Sequence, residues 1–185
     1  MQKAAAFGLI GLVVASLSPS ASAFTDACSL LSDHELESVQ GERPITKKPT
    51  VKEGEGLIVS GCYFTMATAS KSVLIDVNEA SKKKPTRDPR RLWRELFSSE
   101  KGEIRERARR AQSEREEEPS APPEPIRGLG ESAYWEGAGP IGGTLHVLTG
   151  HRFFSISVGG PGSPRDKRDH SKTLARFLLA RLAKK

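Results

Sequence analysis

The stretch from Gly143 to Gly160 constrains the fold more tightly than any other part of the chain. Two apolar-rich runs meet at Gly150-His151, and a two-residue turn there, with glycine supplying the positive φ, fixes the register of a hairpin. Thr149 then faces Arg152, Val147 faces Phe154 and Leu145 faces Ile156, which puts apolar opposite apolar on one face. Leu148 falls opposite Phe153 and His146 opposite Ser155 on the other face. That second face is half apolar, so it calls for partial cover by a helix. The hairpin is expected to form the centre of an antiparallel sheet.

The amino terminus reads as an address. Lys3 supplies a positive start, Ala4 to Ser16 is an apolar run too short for a stable membrane span, and Ala21-Ser22-Ala23 is the small-x-small pattern cut by signal peptidase. Residues 1–23 are expected to be a signal peptide, with cleavage between Ala23 and Phe24. Cys28 follows Thr25-Asp26-Ala27, which lacks the apolar residue of a lipid-attachment site. No later stretch approaches the roughly twenty apolar residues of a membrane helix, so no integral membrane segment is expected after cleavage. The sequence points to a secreted or periplasmic protein.

The remaining 24–185 suit one domain, since a chain of 185 residues supports a single core. Cys28 to Gly41 reads as a short helix, with Ser32 and Glu35 as a capping box, Leu31, Leu36 and Val39 as its apolar stripe, and Gly41 as its terminator. Glu42 to Gly56, polar and holding Pro44 and Pro49, reads as a loop. Leu57 to Met66 and Ser72 to Asn78 read as a second hairpin, in which Val73, Ile75 and Val77 alternate with polar neighbours. Asp88-Pro89 is a cap and first helical residue. The helix it opens carries Leu92, Trp93, Leu96 and Phe97 on one patch and continues as a charged helix to about residue 118. A proline-rich linker, 119–125, follows. Ala133 to Trp135 reads as a short strand before the central hairpin. Ser163-Pro164 opens a last helix with Leu174, Phe177, Leu178 and Leu182 buried, and Arg165, Lys167, Arg168, Lys172, Arg176 and Arg181 on a cationic face. The expectation is an α/β sandwich of the α+β kind: an antiparallel sheet of about five strands covered by helices.

Several of these segments carry a resemblance. Asp26-Ala-Cys-Ser-Leu-Leu-Ser, Ser60-Gly-Cys-Tyr-Phe, Gly128-Leu-Gly-Glu-Ser-Ala-Tyr-Trp, the hairpin and the closing apolar helix resemble a family of uncharacterised bacterial exported proteins, many of them lipoproteins. The resemblance implies a PsbP/Mog1-like fold and an export route, and no activity. This chain departs from the lipoprotein members in lacking the lipid-attachment cysteine.

The chemistry-bearing residues are few. Gly137-Ala-Gly-Pro-Ile-Gly142 matches a dinucleotide fingerprint by letter, but a strand follows it where that motif requires a helix. Gly159 to Pro164 does lie between strand and helix, and amides there beside Arg165 and Lys167 could hold an anion. His34, His146, His151 and His170 fall in no metal-binding pattern. Tyr134 and Trp135 could stack on a sugar or base. No Gly-x-Ser-x-Gly elbow is present, and no cofactor is expected. Export and an even count of two cysteines favour a structural disulfide between Cys28 and Cys62. The net charge of +6 favours acidic partners. The leading expectation is an exported, non-catalytic binding or structural domain of the bacterial cell envelope, its partner an envelope protein or small ligand. The alternatives are a surface binder of anionic polymers acting through the basic last helix, and an envelope hydrolase.

Overall fold

The computed structural model describes residues 24–83, 85–97, 122–137 and 142–183. The signal peptide expected over 1–23, the charged helix expected over 103–118 and the start of the linker lie outside the described residues.

Among the described residues seven antiparallel strands form one sheet in the order β1-β2-β3-β7-β6-β5-β4. They are β1 (Pro44–Gly54), β2 (Leu57–Met66), β3 (Ser72–Ala80), β4 (Glu124–Pro125), β5 (Ser132–Glu136), β6 (Thr144–Thr149) and β7 (Arg152–Val158). Among the described residues three α-helices accompany it: α1 (Asp33–Gln40), α2 (Pro89–Phe97) and α3 (Pro164–Leu182). The α+β character expected from the sequence holds, and the strand count rises from about five to seven.

The two extra strands correct two readings. Glu42 to Gly56 is no loop: Pro44–Gly54 pairs along its length with β2, although every residue after Pro44 is exposed. Its sequence lacks apolar alternation because an edge strand with both faces solvated needs none. The end of the proline-rich linker supplies β4, where Glu124 pairs Trp135 and Pro125 pairs Tyr134. The first helix also starts later than expected. A 3-10 turn, Ala27–Ser29, precedes α1, which Ser32 and Glu35 cap reciprocally and Gly41 closes at φ 72°.

The central hairpin has the expected register, from Thr149 with Arg152 to Leu145 with Ile156. Gly150 adopts φ 59° in the turn. Its N–H donates to Glu131 Oε1 at 2.6 Å and its carbonyl accepts from Arg90 Nε at 2.6 Å, so α2 and the β5 approach both hold the turn.

The two faces of the sheet have separate cores. Phe64, Val73, Ile75, Val77, Leu145, Val147, Phe154 and Ile156 are fully buried on one face against Leu36 of α1 and Leu174 and Leu178 of α3. Each such side chain contributes on the order of 1.5–3 kcal/mol by leaving water. On the other face, Trp93 of α2 packs on Leu148 and Phe153, with Leu92, Leu96, Phe97 and Tyr134 around them. A disulfide joins Cys28 to Cys62, with Cα atoms 5.1 Å apart, and ties the 3-10 turn to β2.

Candidate functional site

Strand parity decides what the aromatic pair can do, because successive side chains point to opposite faces. Trp135 turns into the main core and is 6% exposed. Tyr134 turns to the α2 side and stacks on Phe97, with ring centroids 4.9 Å apart and planes 4° from parallel. The two rings therefore form no shared platform.

Trp135 instead meets the start of α3. A cleft of about 230 Å³ opens between the β4–β5 edge and that helix, lined by Pro122, Glu124, Trp135, Gly137, Pro164, Arg165 and Arg168. Its wall depends on Gly143, where a Cβ would stand 2.3 Å from Trp135 Cζ2. Two of the four residues singled out from sequence, Trp135 and Arg165, thus line one cavity. Lys167 lies apart from the solvent-facing row to which its spacing assigns it. It is 8% exposed, and its Cδ would lie 2.8 Å from a Cβ on Gly142, so its stem packs beneath that glycine.

The electrostatics of the cleft rest on Arg168 and Glu124. Arg168 Nη1 donates to both carboxylate oxygens of Glu124, at 2.9 and 2.8 Å, while its Nε is buried without a partner. A buried guanidinium N–H without an acceptor is costly. Arg165, at the same mouth, is exposed. With Arg168 already paired to Glu124, Arg165 supplies the cation for a small anion with an apolar body, beside an indole edge and two proline rings.

The helix end beside the cleft is already served by the chain itself. Asp166 Oδ2 accepts from the Ser163 N–H at 2.9 Å and from its hydroxyl at 2.8 Å. These bonds from Ser163, the side-chain one first, hold the Asp166 carboxyl below its ordinary range. The loop before it is tied down too, since Gly159 N–H donates to Ser72 O and Gly159 O accepts from Gln40 Nε2. Of the amides on which the anion reading of Gly159 to Pro164 would draw, those of Gly159 and Ser163 are thus engaged within the chain.

The cationic face of α3 is partly matched by acids. Besides Arg168, Lys172 meets Asp169 at 3.1 Å, and Arg181 meets Glu35 at 2.8 Å and the Leu30 carbonyl at 2.6 Å. His151 is exposed in the turn, where Arg152 Nη2 approaches its Nε2 at 3.5 Å. His146 lies on the α2 side with Nε2 3.5 Å from Glu136 Oε2, and its ring is tilted against Phe97. Ser155 is its cross-strand partner. Among the described residues no group of three or more His, Cys, Asp or Glu side chains is placed to hold a metal ion, and no helix is long and apolar enough to cross a membrane.

Glu124 and Arg168 were not separable from a linker and a charged helix face by sequence alone. Only the pairing of β4 with β5 brings them to the same cleft. No family model matches the chain, and neither a curated protein nor a solved structure matches it.

Proposed function

We propose that this protein is an exported, non-catalytic binding domain of the bacterial cell envelope, and that the cleft between β4–β5 and α3 receives the anionic group of a small ligand. The observation that carries the reading is the convergence of Trp135, Arg165 and Arg168 on one cleft. The leader pattern ending at Ala23-Phe24 and the Cys28–Cys62 disulfide favour an oxidising compartment outside the cytoplasm. The sheet covered by helices on both faces is compatible with the PsbP/Mog1-like fold implied by the resemblance to bacterial exported proteins.

Fluorescence of the two tryptophans, followed during titration with benzoate, phosphate and heparin, tests the reading. Saturable quenching by benzoate or phosphate that is lost in Arg165→Glu supports it. Stabilisation by heparin alone would favour binding of anionic polymers by the exposed cations of α3. A hydrolase is the third reading, and its one structural support is the His146–Glu136 approach opposite Ser155. Hydrolysis of an ester or glycoside panel that disappears in His146→Ala would replace the binding proposal.

A further inference from the structure

Strand β1 leaves one edge of the sheet open. It pairs with β2 on one side and with no strand of the described residues on the other, whereas the opposite edge ends in the two residues of β4.

The outward backbone groups of β1 follow from bonds further in. Met66 N–H donates to Lys71 O at 3.3 Å and Ser81 N–H donates to Gly56 O at 2.9 Å. Even-numbered residues of β2 therefore bond β3, and its odd-numbered residues bond β1. The β1 partners of those odd residues are Thr46, Lys48, Thr50, Lys52 and Gly54. Lys47, Pro49, Val51 and Glu53 thus turn their amides and carbonyls away from the sheet. Pro49 agrees with this parity, since its missing N–H falls where no ladder bond is needed.

The side chains give the edge a chemical character. On the α1 side, Lys47 is held by Asp33 at 2.6 Å and Val51 stands 50% exposed. On the α2 side, Lys48 and Lys52 flank Thr50, and Tyr63, the partner of Lys48, is 39% exposed. Ile45, Val51 and Tyr63 are the large hydrophobics exposed among the described residues, so apolar exposure gathers on this edge. Lysines on an edge strand guard against pairing with a second copy. A copy laid antiparallel here brings its own Lys48 and Lys52 to the same face, where like charges repel. An acidic strand meets the opposite field.

We propose that β1 is a docking edge for an extended acidic segment of another protein, which adds to the sheet as a further strand, with acidic side chains beside Lys48 and Lys52 and an apolar one beside Val51. Main-chain bonds then supply affinity, and the alternating side chains supply selection.

The test uses the whole mature chain with a short blocked peptide that alternates glutamate and valine, and the same peptide with lysine in place of glutamate. Amide exchange read by NMR is expected to slow at Lys47, Val51 and Glu53 on adding the glutamate peptide, and to stay unchanged at the even-numbered positions of β1. Val51→Pro removes an outward N–H and no ladder bond, so it is expected to weaken that peptide by about tenfold. Lys48→Glu with Lys52→Glu alters exposed side chains alone, and is expected to reverse the preference between peptides even if Val51→Pro fails to fold. Unchanged exchange at the odd positions under saturating glutamate peptide, or equal binding of both peptides, overturns the proposal. Protection of the same amides in the protein alone, rising with its concentration, would put a second copy on the edge and overturn it as well.

Discussion

Cys28 is bonded to Cys62 across a sequence separation of 34, so the first turn of the described chain is fastened to the second strand of the sheet. The loop closed by the bond corresponds to about 4 kcal/mol in the chain-entropy account. Ala27, Leu30, Leu31 and Leu36 are buried beside it, so the segment retains apolar anchors after reduction. Reductant is therefore expected to lower the denaturation midpoint without abolishing the fold. Amide exchange should quicken around residues 25–40 before it does in the β6–β7 hairpin. Identical exchange with and without reductant would contradict this.

The central hairpin is sensitive to charge on its core face and tolerant at its turn. Val147 is fully buried, and a carboxylate there has no partner, at a cost of several kcal/mol, comparable with the whole margin of a domain. Val147→Asp should leave little folded protein by circular dichroism. His151→Ala, at an exposed turn position, should leave the melting curve unchanged.

Two carboxyls should give opposite pH signatures. Hydrogen bonds from Lys71 Nζ, and then from the Thr68 hydroxyl and N–H, hold Glu42 at about 2, against an ordinary value of 4.5. As pH falls below 4.5 the unfolded chain takes up this proton before the folded one, so the stabilisation present above that range is lost as pH falls through about 2. Burial raises Asp76, an effect only partly offset by Lys52. Its ionised form is disfavoured in the fold, and that penalty grows as pH rises through the folded value. Asp76→Asn should therefore stabilise at neutral pH, with the gain vanishing in acid. Glu42→Gln should destabilise at neutral pH, with the loss fading in strong acid. Chemical denaturation across pH reads both.

Gly143 is a packing requirement of the cleft. A Cβ there would meet Trp135 Cζ2 at 2.3 Å and Glu136 O at 2.9 Å, so Gly143→Ala must displace the indole, at about 1–3 kcal/mol. Thermal melting should show the loss, and the Trp135 indole resonance should shift.

Much of this frame was legible in residues. Gly150, the Ser32 and Ser163 caps, and the alternation of Val73, Ile75 and Val77 each act through local geometry, and the structure keeps them. β1 was not legible, because its strand state comes from pairing with β2 and buries no side chain after Pro44. The cleft was half legible. Trp135 and Arg165 stood out as residue types, but the two-residue strand β4 brings Glu124 to them, and no periodicity marks so short an element. Lys167 was misplaced because its helical spacing fits the solvent face, whereas Gly142 leaves room for its stem to lie inside.

The most direct measurement is a site-resolved NMR titration of residues 24–185 with benzoate and with phosphate, following the Trp135 indole Nε1–H and the Arg168 Nε–H. The binding account predicts saturable shifts of both resonances with one or other anion, absent in Arg165→Glu and retained at physiological salt. Shifts that never saturate, or that spread over the exposed lysines and vanish with salt while Trp135 and Arg168 stay still, would contradict a ligand site in the cleft.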